Sequence, residues 1–209
     1  MLHPGLPLPP PREPGAPYRV CLVCLGNICR SPMAETVLRA ALAEAGLDGA
    51  VVVDSAGTGD WHIGQPMNSA ARAALATRGY DGSAHRARQI EPSWLARRDL
   101  VLAMDARNLA DLRRMAGASG SDRIRLFGEV GGLSGRDPRG RGDPRGRGDL
   151  RGRGDLRGEA DGAEIPDPYG GNAAEFGYVL DLLGSAAPVI ASRLARRLEP
   201  AADGRDTPA

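Results

Sequence analysis

The chain has 209 residues, 42% of them hydrophobic, 25% charged and only 4% aromatic, with a formal net charge of +1. This length suits one domain plus some additional sequence and allows a real core. The near-neutral charge gives no sign of a nucleic-acid partner, and no apolar run approaches the ~18 residues of a transmembrane span, so neither nucleic acid nor membrane is expected.

Residues 1–17, MLHPGLPLPPPREPGAP, are Pro-rich and lack the apolar centre of a secretory signal, so they read as a disordered leader. All 27 basic residues are Arg, a mark of genomic base composition before function. Cys21, Cys24 and Cys29 make no disulfide framework, which points to a reducing cytoplasm, and as a metal site they lack a fourth ligand. No metal and no cofactor is expected.

From Tyr18 to Glu35 the chain reads YRVCLVCLGNICRSPMAE. Val20, Leu22 and Val23 lead into Cys24 as a strand, Gly26 and Asn27 stop it, and Ser31 and Pro32 open a helix. Pro is tolerated at the first helical position because its missing N–H would be unpaired there, so Pro32 is expected to mark the helix start. The loop 24–31 then sits at a helix N-terminus, where several backbone N–H groups and the positive end of a dipole face one concavity. Gly26 and Asn27 tolerate the positive φ that such an inward-turned loop requires.

Within that loop Cys24 and Arg30-Ser31 form a Cys-x5-Arg-Ser pattern that can wrap one phosphate. A thiol is a useful nucleophile as thiolate, and a helix N-terminus beside Arg is an environment that favours the thiolate. Arg supplies a planar fork for two phosphate oxygens. Ser31 is placed to donate toward sulfur. Cys29 shares the curl, so peroxide is expected to join it reversibly to Cys24; the other reading is a small buried thiol.

Beyond the loop, Ala34, Val37, Leu38, Ala41 and Ala45 lie on one face of a helix ending near Gly46. Residues 50–53 form a buried strand, followed by the Gly-rich loop Ser55-Ala-Gly-Thr-Gly-Asp with Trp61. A helix spans 67–79, the polar stretch HRARQ follows at 85–89, and a third strand at 99–103 precedes Met104-Asp105 and a helix through Met115. A fourth strand covers 123–127. Alternating strands and helices imply a single-domain α/β fold, a four-stranded parallel sheet with helices on both faces and the phosphate loop after strand 1.

Residues 135–158 repeat RGDPRG and RGDLRG units with eight Arg and four Asp, a low-complexity basic arm that cannot be buried. With its edges it interrupts the domain at 135–160. Ile165-Pro-Asp-Pro-Tyr169 holds Asp167 between two prolines in a stiff loop, and a final helix from Ala173 carries Phe176, Val179, Leu180, Leu183, Ala187, Ile190, Ala191 and Leu194 on one face. The domain is expected to span 18–198, with a disordered tail at 199–209.

Five landmarks in order, CLGNICRSP, DSAGT with a Trp, HRAR, LAMD and IPDPY, resemble those of the bacterial low-molecular-weight protein tyrosine phosphatases over residues 18–127 and 164–198. The resemblance implies that Cys24 attacks phosphorus, Arg30 binds the phosphate and Asp167 protonates the leaving phenolate, giving two in-line displacements through a phosphocysteine. It makes Leu25, Gly26, Asn27, Ile28 and Cys29 part of the substrate cradle, Trp61 and Tyr169 the walls of a slot for a phenyl ring, and Asn27, Ser55 and His85 a network that stiffens the loop. It implies phosphotyrosine-containing protein substrates and no metal, since loop amides and Arg30 supply the charge stabilisation. The family commonly has a second Tyr where Gly170 stands. Other readings are an arsenate reductase, which needs cysteines beyond Cys29, a protein-arginine phosphatase, which tends to carry Thr at the position of Ile28, and a non-catalytic phosphate-binding protein. A monomer is expected.

Overall fold

The computed structural model describes residues 7–117, 120–133 and 163–199. All of the basic arm, 135–160, and all but the first residue of the tail lie outside the described residues. Four strands, β1 (Tyr18–Cys24), β2 (Val51–Gly57), β3 (Leu100–Ala103) and β4 (Ile124–Leu126), form one sheet in the order β2-β1-β3-β4, with every neighbouring pair parallel. The winding therefore reverses at β1. A crevice at such a reversal, outside the carboxyl ends of the strands, is where ligands bind in open α/β sheets. The register pairs Cys24 with Gly57 and Val23 with Ala103, so the segments leaving β1, β2 and β3 all start at that rim.

The period of two along β1 sorts its side chains between two cores. Tyr18, Val20, Leu22 and Cys24 face helices α1 (Arg30–Glu44), α2 (Ser69–Ala76), α5 (Phe127–Val130) and α6 (Ala173–Leu198), whereas Cys21 and Val23 face α3 (Pro92–Leu95) and α4 (Ala106–Ala116). A strand buried on both faces needs a continuous apolar run, and β1 has one. All eight residues assigned to the apolar face of the last helix are buried. By length and composition α6 could cross a membrane, but that apolar face is packed against the core of the domain.

Several boundaries differ from the sequence expectation. Helix α1 begins at Arg30 with Cys29 as its N-cap, so Pro32 is the third helical residue; it is tolerated there because that N–H still has no partner inside the helix. Strand β2 continues past Val53 to Gly57, since backbone pairing with Cys21–Cys24 carries the polar Asp54 and Ser55 into the sheet. Two four-residue helices, α3 and α5, are too short to leave a periodic signal.

The expectation of a disordered leader fails for residues 7–17. Leu8 is only 5% exposed, and the Pro-rich stretch is held through its carbonyls, the one polar group a proline backbone keeps. Arg125, Arg123 and Arg197 donate to the carbonyls of Pro7, Pro10 and Pro9, and the buried Tyr18 hydroxyl also donates to Pro9. Asp99 then fixes the chain's entry into β1 by accepting from the Arg12 and Arg19 amides at 2.6 and 2.7 Å. This strap lies far from the carboxyl rim of the sheet. Deleting residues 1–11 should therefore cost about 1.5–3 kcal/mol in urea unfolding for the loss of Leu8 burial alone, while kcat for a small substrate stays unchanged.

Candidate active site

Cys24 closes β1, and the loop after it curls back so that its own groups meet the sulfur. The Asn27 N–H donates to Cys24 Sγ at 3.2 Å, and Ser31 Oγ lies 3.0 Å from the same atom. This curl requires Asn27 at φ 54°, the single positive-φ residue other than glycine among the described residues. Its side chain is buried and fully used: Nδ2 donates to Ser31 Oγ and Ser55 Oγ, both at 2.9 Å, and Oδ1 accepts from the Arg88 amide at 2.8 Å. His85 Nε2–H donates to the Asn27 carbonyl at 2.7 Å. Because Ser31 Oγ accepts from Asn27, its own proton is free for the sulfur or for the Ala56 carbonyl at 3.3 Å. Ser55 in turn donates to Glu35 at 2.6 Å, and Glu35 pairs with Arg39.

The loop passes so close to the end of β2 that a side chain there is excluded. A Cβ on Gly57 would stand 2.7 Å from the Leu25 carbonyl oxygen and 3.1 Å from the Asn27 nitrogen.

Arg30 reaches the same crevice from the first turn of α1, its side chain 4% exposed. One arm of the fork, Nη1, donates to Asp105 and to the Ile165 carbonyl, the latter at 3.2 Å; the other, Nη2, donates to Asp167 Oδ2 at 2.8 Å. Burial opposes the guanidinium charge, but the Cys24 sulfur, Asp105 and Asp167 outweigh it and hold the pKa above its usual value. Asp105, one residue past Met104 at the end of β3, caps α4 and accepts from the Asn108 amide at 2.7 Å, so its second oxygen is aimed at Arg30 by the helix start. Its part in fixing Arg30 was not read from the sequence, although an acid between a strand end and a helix start was a signal for it.

Leu25, Gly26, Ile28, Cys29, Arg30, Trp61, Asp167 and Tyr169 line a cavity of about 250 Å³ with Cys24. Trp61 and Tyr169 are 57% and 62% exposed, a level of exposure for large aromatics that is explained by walls facing an open slot. Between them stands His62, unmarked in the sequence reading, with its ring centroid 6.1 Å from Trp61 and 6.4 Å from Tyr169. Two glycines make room for these rings. A Cβ on Gly26 would approach His62 Cδ2 to 2.9 Å, and one on Gly59 would enter the Trp61 ring at 2.2 Å.

Asp167 is held partly by its own turn, accepting from the Tyr169 amide at 3.2 Å. Gly170 has φ 78°, a conformation a Tyr would adopt only with strain, so the missing second aromatic belongs to the shape of this turn. The Asn27 side chain lies with Ser31, Ser55 and His85 in the network under the loop, while its N–H faces the Cys24 sulfur in the slot. Burial, followed by the neighbouring Cys24 and Asp167, pushes the Cys29 thiol up to about 12, so it stays protonated and is a weak attacking group near neutrality.

Burial depresses the His85 pKa, with Arg88 and Arg86 adding to the effect and the Asn27 carbonyl and Glu35 opposing it. The neutral ring is the form that fits. A depressed folded-state pKa contributes stability that is full above the unfolded value of about 6.5 and is lost as pH falls through the folded value. The melting temperature should thus fall more steeply as pH drops below about 6.5 for the wild type than for His85→Gln; parallel curves would remove His85 from the acid response.

Comparison with known proteins agrees with this geometry. Residues 19–149 match the family described as low molecular weight phosphotyrosine protein phosphatase. The chain is 40% identical over 183 residues to a low molecular weight protein-tyrosine-phosphatase of Streptomyces coelicolor, covering 87% of this chain and 96% of that protein. Among solved structures, YfkJ from Bacillus subtilis superposes with a TM-score of 0.69 at 31% identity, covering 90% of this chain and all of the other. A protein tyrosine phosphatase from Entamoeba histolytica gives 0.68 at 27% identity, covering 86% of this chain and 97% of that one.

Proposed function

Starting from the chain's membership of the low-molecular-weight protein-tyrosine phosphatases, shown by the family match and by the Streptomyces relative, we propose that it hydrolyses phosphotyrosine in proteins, and small aryl phosphates, through a phosphocysteine on Cys24. One observation carries this reading: the Cys24 sulfur, the Arg30 fork and the Asp167 carboxyl meet in one slot whose outer walls are aromatic. The aromatic walls suit a phenyl ring. Its phosphate would lie on the loop amides with Cys24 beneath phosphorus.

The Arg30 fork has two kinds of contact, and they play different parts. Asp105 and the Ile165 carbonyl hold Nη1 from behind, whereas the Nη2 contact to Asp167 occupies hydrogens that a phosphate would use. Substrate binding exchanges that contact for phosphate oxygens, which frees Asp167 for the leaving oxygen. The Cys24 thiolate then attacks phosphorus in line, Arg30 and the loop amides stabilise the equatorial oxygens, and Asp167 gives its proton to the phenolate. Asp167 next takes a proton from water, which attacks the phosphocysteine and returns the thiolate, with Ser31 donating to the departing sulfur.

Ile28, on the slot lining, offers no side-chain partner to a guanidinium, which favours an aryl substrate over phosphoarginine. Three cysteines, all free and confined to residues 21–29, fit a cytoplasmic enzyme.

Cys24→Ser should abolish turnover of p-nitrophenyl phosphate yet retain phosphate binding, and Arg30→Lys should be nearly inactive because a point charge does not replace the fork. Appreciable turnover by a clean Cys24→Ser preparation would remove Cys24 as nucleophile. Asp167→Asn should lower kcat on the order of 10²- to 10⁴-fold with phenyl phosphate or phosphotyrosine, and less with a good leaving group. Equal losses for both leaving groups would move the acid role elsewhere.

A further inference from the structure

Trp61 has two sides. One bounds the slot just described; the other, together with Leu25, bounds a second groove of about 410 Å³ completed by Thr58, Gly59, Arg107, Asp111, Arg114 and Met115. Arg107 and Arg114 lie on the exposed face of α4, and Arg114 is paired with Asp111 at 2.9 Å. Arg107 has no ion pair or side-chain hydrogen bond among the described residues. Of the acids near its edge, Glu164 accepts from the Ala106 amide and the exposed Asp60 lies between Gly59 and Trp61 in sequence. With Asp111 engaged by Arg114, the groove's own lining carries one guanidinium in excess, that of Arg107.

The floor of the groove is fixed to the loop that follows Cys24: the Thr58 and Gly59 amides donate to the Cys24 and Leu25 carbonyls at 3.0 and 2.9 Å. Trp61, Leu25 and Met115 give the groove its apolar part, and Arg107 gives it a charge preference.

We propose that this groove is a subsite for the polypeptide flanking the phosphotyrosine, and that it selects an acidic side chain through Arg107, with Arg114 in support. The proposal rests on the phosphatase reading of the neighbouring slot. A chain whose phosphotyrosine occupies that slot has only the Trp61 ring to cross, and an extended segment of roughly two or three residues, at about 3.3–3.6 Å each, reaches the far side. Trp61 thus serves both sites: its ring lies against Gly59, whose missing Cβ lets it stand between slot and groove.

The test compares a phosphotyrosine peptide carrying Glu at each of the flanking positions within this reach with its Gln counterpart, assayed alongside p-nitrophenyl phosphate. The wild type should prefer the Glu peptide in kcat/KM by about three- to fivefold, as an exposed charge pair allows, and added salt should erase the preference. Arg107→Ala should lose that preference without changing p-nitrophenyl phosphate turnover, and Arg107→Glu should reverse it toward a Lys peptide. Normal p-nitrophenyl phosphate turnover with equal kcat/KM for the Glu and Gln peptides would overturn the subsite and leave the phosphatase reading intact. A preference that survives in Arg107→Ala/Arg114→Ala would overturn it as well. Absence of turnover on every substrate would overturn both.

Discussion

The left-handed turn at Asn27 is the constraint on which the site depends. An L-residue in this conformation carries a cost of about 1–2 kcal/mol, less for Asn, whose short polar side chain can bond locally. Against it stand four hydrogen bonds to Ser31, Ser55, Arg88 and His85, each contributing roughly 0.5–1.5 kcal/mol net. The network wins, and the geometric consequence is that the Asn27 N–H faces the Cys24 sulfur. Gly57 is the other half of the constraint, because the curled loop rests on the backbone at the end of β2 where a side chain would collide.

Sheet order turns this local device into a site. The reversal of winding at β1 opens a crevice where Cys24 ends β1 and into which the segments after β2 and β3 carry Trp61 and Asp105. Asp167 comes from a different part of the chain, and the link that brings it in is partly backbone: Ile165 N–H donates to the Met104 carbonyl at 2.7 Å while the Ile165 carbonyl accepts from Arg30. The Asp167 loop is therefore anchored at the end of β3 and to Arg30 at once. That anchoring keeps Asp167 in register with Cys24 across the long intervening stretch of sequence.

Much of this was legible before any coordinates. Periodicity located the four strands and the main helices because β1 and α6 bury continuous or one-faced apolar sets, and the Cys-x5-Arg-Ser pattern marked the loop because few other arrangements need those residue types at that spacing. What stayed hidden depends on contacts distant in sequence. Asp54 and Ser55 look like loop residues until β1 pairs with them. The Pro-rich leader looks disordered because its partners, Arg123, Arg125 and Arg197, lie more than a hundred residues away. His62 and Asp105 belong to the site through three-dimensional placement, one between two aromatic walls and one behind Arg30, and neither has a spacing that announces its part.

The loop's hydrogen bonds, the Arg30 fork and the aromatic slot all converge on one sulfur, so the most direct test is to catch phosphorus on it. Rapid acid quench of the enzyme reacting with a radiolabelled aryl phosphate, followed by peptide mapping, should find the label on Cys24 as a thiophosphate ester that forms with the burst of phenol and decays with the release of phosphate. Label on another residue, or a full burst with no phosphoenzyme at any time point, would contradict the assignment of Cys24 as the nucleophile.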